Sequence, residues 1–194
     1  ILAGIILGIQ FLWGFLQISS YVLIGTFLYG LIRIFQEYQK RNFKKQLFYL
    51  FFIFLIGLGV GAIQITPSYE FLRISHLPMR IPRLQLFNPA CLINFITFIV
   101  PDIFGNPIHH NYWGPSNYVE LCGYIGILPL ILAILAIFKR YDKWVFVFSS
   151  IAIFSLAVYL QTPISNFLSL LLGFNRNLSN MRIICLFTFS GSIL

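Results

Sequence analysis

The sequence predicts an all-α fold: a polytopic transmembrane helix bundle with an extracytoplasmic loop carrying interfacial helices. Three observations predict it. The chain of 194 residues is 59% hydrophobic and 9% charged, about a third of the charged share usual in soluble domains, and its mean hydropathy is +0.87. Its apolar residues fall in runs near the ~20 residues a helix needs to cross a bilayer. Its cations gather in short segments between those runs, so the net charge of +8 reads as membrane topology and not as a nucleic-acid surface.

The spans follow in order along a single transmembrane domain, residues 1–194. Residues 1–12 read as the end of a span, 19–35, 47–66, 119–138 and 144–160 as further spans, and 181–194 as the start of another. Without a methionine at Ile1 and with Leu194 inside an apolar run, the chain is expected to be an internal fragment. The run "FLSLLLGF", 167–174, is too short to cross and reads as re-entrant or interfacial, which requires protein around it. The cysteines Cys91, Cys122 and Cys185 form no CxxC pair, so they suggest neither a zinc site nor a disulfide framework.

Residues 33–45 carry Arg33, Lys40, Arg41, Lys44 and Lys45 against Glu37, and 139–143 carry Lys139, Arg140 and Lys143 against Asp142. The positive-inside rule places both loops in the cytoplasm, and they agree because two spans separate them. The loop 67–118 and the segment 161–180 then face outward. All five lysines lie in the cytoplasmic loops, while the outer cations Arg73, Arg80, Arg83, Arg176 and Arg182 are all arginine. Arginine's planar fork grips phosphate in two-pronged fashion, which points to an outward phosphate or diphosphate site; lysine serving topology alone explains the same split.

The outer loop is expected to begin where Pro67 breaks the preceding helix, with Glu70 and Arg73 forming an ion pair at i, i+3. Pro78, Pro82 and Pro89 follow, then "CLINFITFIV", 91–100, a helix expected to lie in the interface with Asn94 and Thr97 on its polar side. Next, "PDIFGNPIHHNYWGPSNYVE", 101–120, holds two of the chain's five carboxylates and two of its three histidines. Prolines, glycine and asparagine make it a shaped loop. Asp102 there could cap a turn, act as a general base, or hold a divalent cation with His109. Tyr112 and Trp113 offer rings that stack on a sugar or sit at the headgroup level. Glu120, at the outer mouth of a span, is costly unless paired or functional, and an outer arginine is its simplest partner. Gly4/Gly8 and Gly57/Gly61 have the GxxxG spacing of close helix packing; "NLS" at Asn177 matches a glycosylation acceptor.

The run "INFITFIVPDIFGNP…YWGPSNYVELCGYIGILPLILAILAIF" resembles the YfhO family of bacterial membrane proteins, within the GT-C superfamily of lipid-linked-sugar glycosyltransferases. The resemblance rests on Pro101, Asp102, Phe104, Gly105, Tyr112, Gly114, Glu120, Tyr124, Ile125 and Gly126, and is most specific over 95–138. A looser match places Gly14 and Gln17 in a family Gly-His-Pro-Gln segment, with Phe15 and Leu16 replacing His and Pro, and sets Arg182 at the family's arginine before a later span. The resemblance implies a GT-C-like enzyme of the bacterial cytoplasmic membrane. It would transfer a sugar from a polyprenyl-phosphate-linked donor to a cell-surface glycan acceptor on the outer face, among membrane lipids and without nucleic acid. It implies a catalytic acidic residue in an earlier outer loop, leaving Asp102 and Glu120 to bind sugar hydroxyls or, through a divalent cation, the carrier phosphate, with Tyr112, Trp113, Arg80, Arg83, Arg182 and Gln17 as further substrate contacts. A transporter or flippase would share the outward arginines but predicts charges deep within spans and paired half-repeats, and the spans carry none. A non-catalytic scaffold is the third class.

Overall fold

The computed structural model describes residues 1–36, 43–74, 93–114, 117–121, 123–171 and 180–194. Among them every regular element is helical and no strand occurs, so the fold is all-α. The expectations placed on Lys40, Arg41, Pro78, Arg80, Pro82, Arg83, Pro89, Cys91, Cys122, Arg176 and Asn177 lie outside the described residues. The chain divides into two compact units, Ile1–Ile81 and Pro82–Leu194.

The first unit contains α1 (Leu2–Leu12), α2 (Leu16–Gln36) and α3 (Phe43–Ile74). The two GxxxG pairs meet each other. A Cβ on Gly4 would stand 2.8 Å from the Ile53 carbonyl oxygen, and one on Gly57 would stand 3.1 Å from Leu7 Cβ and 3.3 Å from the Gly4 carbonyl oxygen. A Cβ on Gly61 would stand 3.0 Å from the Phe11 ring. Small residues let the backbones of α1 and α3 approach, the device that dispersion-driven helix packing uses in lipid. α2 joins α3 through Leu50 seated on Gly30 and through Phe27 against Phe54, edge to face at 5.6 Å.

α2 and the stretch Phe43–Phe71 of α3 are long and apolar enough to cross a membrane by length and composition. Two expectations about α3 are corrected. The helix does not end at Pro67 but runs through it for 32 residues in all, about 48 Å. Proline removes one backbone donor, and Gln64 Nε2 bonds Ser68 Oγ at 3.3 Å across the same turn. Nor do Glu70 and Arg73 pair: the Arg73 guanidinium lies 5.7 Å over the Tyr69 ring.

The second unit contains α4 (Tyr118–Leu121), α5 (Ile127–Lys139), α6 (Lys143–Tyr159), α7 (Pro163–Leu171) and α8 (Ile184–Ile193), with single 3₁₀ turns at Asn94–Phe98, Pro107–His109 and Asn180–Ile183. Its core lies between α6 and α8. Val147, Ile151, Val158 and Tyr159 are buried against Ile183, Ile184 and Phe187, and Phe98 stacks on Phe187 with ring centroids 5.1 Å apart. The short α7 covers only part of the expected re-entrant run 167–174, because 172–174 lie outside the described residues.

The expected span 119–138 does not form as one helix. It divides into the four-residue α4 and the 13-residue α5, the latter about 20 Å long against a hydrocarbon core of about 30 Å. The break ends at Gly126, whose φ of 98° suits glycine far better than any other residue. Pro129 falls in the first turn of α5, where a missing N–H costs nothing. α6, with 17 residues, is at the lower edge of a spanning length.

The expected interfacial helix 91–100 is also corrected. Its described part is a 3₁₀ turn that buries Asn94 and Thr97 and exposes Ile93, Ile96 and Ile99, the reverse of the expected polarity. In a 3₁₀ turn residues three apart eclipse one another, so Asn94 and Thr97 point inward together, and the Thr97 hydroxyl donates to the Asn94 carbonyl at 2.6 Å. The aromatic rings that follow each of them decide the direction: Phe95 and Phe98 pack on Tyr159 at 6.2 and 6.1 Å.

Candidate functional site

Residues 101–114 form a folded loop organised by their own polar side chains, which residues 117–120 join through Tyr118. Asp102 closes a turn through its carbonyl, which accepts from the Gly105 amide at 2.9 Å. Gly105 takes φ 82° and presses on the Asn111 backbone, so no larger residue fits there without strain. Asn111 Oδ1 accepts from the Asn106 amide at 2.8 Å, and Asn106 Oδ1 accepts from the Ile108 amide at 2.9 Å. The Trp113 amide then donates to the Phe104 carbonyl at 2.9 Å and closes the loop. Phe104 is buried, and the Trp113 ring stands edge-on to it at 5.1 Å.

This architecture leaves the Asp102 side chain on the surface. Its Oδ1 accepts from the Tyr118 hydroxyl at 2.8 Å and from Asn106 Nδ2 at 3.4 Å. Asp102 therefore caps no backbone donor among the described residues; the side chains of Asn106 and Asn117 do that work, the latter accepting from the Val119 amide at 3.3 Å. Tyr118 meets Tyr112 edge to face at 5.7 Å, so Asp102, Tyr112 and Tyr118 form one surface cluster. Trp113 remains 71% exposed despite its contact with Phe104, which leaves most of its surface available to a ligand or a headgroup layer.

Two residues beyond Tyr118, Glu120 Oε1 lies 3.6 Å from Arg182 Nε, with side chains 14% and 27% exposed. The carboxylate expected to need a partner thus meets one of the expected arginines. Arg182 is carried by the 3₁₀ turn before α8, so the pair ties the end of the loop to the core helix. Of the other candidates, Gln17 belongs to α2 in the first unit, where its Nε2 donates to the buried Tyr21 hydroxyl at 2.9 Å. Arg80 and Arg83 lie outside the described residues. His109 and His110 are exposed, and among the described residues no three His, Cys, Asp or Glu side chains gather as a metal would require.

Reasoning from the sequence missed two participants. The bond from Tyr118 to Asp102 spans sixteen positions, beyond any local periodicity. Asn106 had a visible signal, since Asn before proline marks a turn whose side chain bonds its own backbone. Comparison with protein-family models, with curated proteins and with solved structures finds no match to the chain.

Proposed function

We propose that the chain acts as a polytopic, GT-C-like glycosyltransferase of the YfhO type in the bacterial cytoplasmic membrane, moving a sugar from a polyprenyl-phosphate carrier to a cell-surface glycan or lipid. The observation that carries this reading is the surface cluster of Asp102, Tyr118 and Tyr112 beside the exposed Trp113. Tyr118 orients one carboxylate oxygen, and the other makes no hydrogen bond among the described residues, so it is available to a sugar hydroxyl. A ring such as Trp113 covers the C–H face of a pyranose. Arg182, held through Nε by Glu120, stands as the phosphate-side cation. In transfer the acceptor oxygen bonds the anomeric carbon, the bond to the carrier phosphate breaks, and the acceptor proton passes to a carboxylate outside this cluster.

The test is sugar transfer in membrane vesicles from a labelled polyprenyl-phosphate donor. Asp102→Asn should lower transfer at least about tenfold at equal protein abundance, as loss of a charge-assisted hydrogen bond of about 1.5–3 kcal/mol requires. Normal cell-surface glycan labelling in cells whose protein carries Glu120→Gln and Arg182→Ala combined would instead favour a scaffold. One observation favours a flippase as second reading: the break between α4 and α5 is of the kind that discontinuous helices make around transported anions. Carrier translocation without transfer, measured in the same vesicles, would decide for it.

A further inference from the structure

We propose that the groove between α2 and α3 is a binding site for an anionic phospholipid of the cytoplasmic leaflet. It has a volume of about 650 Å³ and is walled by Phe27 of α2 and by Leu47, Leu50, Phe51 and Phe54 of α3, with Lys44 as its one charged lining residue among the described residues. The volume is within the range of small-molecule sites, and the lining is hydrocarbon apart from that ammonium.

Length and charge together select the occupant. Phe54 meets Phe27, and Leu50 sits on Gly30, so α2 and α3 run antiparallel and Lys44 lies at the end of the groove nearest the close of α2. From Lys44 to Phe54 the groove follows α3 for ten residues, about 15 Å. That is half of a hydrocarbon core of about 30 Å, the depth of one leaflet. An acyl chain laid along the wall would therefore begin beside Lys44 and end near the bilayer midplane. Its phosphate would meet a cation where a headgroup belongs, with Arg33 in the last turn of α2. The positive-inside assignment makes this the cytoplasmic leaflet, whose anionic lipids attract such residues. A zwitterionic lipid fills the groove equally well but gains nothing net from Lys44.

The site rests on the membrane reading of α2 and α3 and is independent of sugar transfer. The test places the chain carrying Phe51→Trp, with Trp13, Trp113 and Trp144 replaced by Phe, in vesicles of phosphatidylcholine containing either brominated phosphatidylglycerol or brominated phosphatidylcholine at equal fraction. Bromine on the acyl chain quenches tryptophan fluorescence on contact. The expected result is an apparent association about fivefold stronger for the phosphatidylglycerol, the factor for one lysine near the surface. Lys44→Gln should bring the ratio to one, while Lys45→Gln, whose ammonium lies over the Tyr49 ring, should leave most of it. Inorganic phosphate should not compete, since it offers no chain to the groove. Equal quenching by both lipids would overturn the site while keeping the span, and no quenching by either would overturn the membrane reading with it.

Discussion

Where α1 meets α3, the contact is backbone against small residue; where residues 101–114 turn, it is side-chain amide, hydroxyl and carboxylate. The first region would lose from any added atom, because Gly4, Gly8, Gly57 and Gly61 leave no room. The second would lose from any removed polar side chain, because the Asn106 and Asn111 side chains accept from loop amides and the Tyr118 hydroxyl donates to Asp102. The difference follows the residues each region is built from. Helices in lipid gain nothing from hiding apolar groups and depend on fit, whereas a polar loop at a wet surface has its backbone donors to satisfy and does so locally.

The largest effect should come from breaking the fit. In Gly8→Leu even the first side-chain carbon meets Val60 Cγ1 at 2.8 Å and the Gly57 carbonyl oxygen at 3.0 Å. Parting α1 from α3 should cost about 3 kcal/mol, the upper end for overpacked sites, and thermal denaturation in detergent reads it directly. An unchanged midpoint would show that the seam is looser than its glycines indicate. Next comes Gly105→Ala, whose φ of 82° and contact with Asn111 should cost about 2 kcal/mol, borne locally. Hydrogen exchange at the Trp113 and Asn106 amides should accelerate while the seam of the first unit is unmoved. A uniform loss of protection throughout the chain would erase the distinction between the regions.

Much of the first region is legible in the sequence. The GxxxG pairs name the seam, and the apolar runs name α2 and the start of α3 to within about four residues, though not the end of α3. Pro67 misleads because a proline's penalty is local and a long apolar helix absorbs one lost hydrogen bond. In the second region the loop signals are visible, but the partners are not. Hydropathy reads 119–138 as one span although Gly126 and Pro129 mark a helix start within it, since a window average ignores backbone geometry. The inward turn of Asn94 and Thr97 is set by Phe95 and Phe98 meeting Tyr159, a contact more than sixty positions away that no local pattern carries.

A smaller effect sharpens the loop's side of the comparison. Tyr118→Phe keeps the ring against Tyr112 and removes only the hydroxyl that donates to Asp102. Asp102 stays exposed to water, so no buried acceptor is orphaned and the cost should be about 1 kcal/mol. The readout is exchange at the Glu120 amide, which bonds the Asn117 carbonyl at the start of α4. If sugar transfer falls much further than that local stability, Tyr118 positions Asp102 for its ligand; if the two fall together, the tyrosine serves the loop alone.

The smallest effect is one of sign. Gly57 and Gly59 stand two residues apart on α3, yet a Cβ on Gly57 would meet Leu7 at 3.1 Å while one on Gly59 has nothing within 4 Å. Both lie well inside a helix, where alanine is favoured over glycine by about 0.5–1 kcal/mol because less backbone freedom is lost on folding. At Gly59 nothing opposes that gain, so Gly59→Ala should raise the denaturation midpoint slightly. At Gly57 the same gain works against a helix pressed onto its neighbour, and Gly57→Ala should lower it. Opposite shifts would establish that this part of α3 is constrained on the face toward α1 and open at Gly59. Two shifts of the same sign would mean that helix propensity, and not the seam, governs this part of the chain.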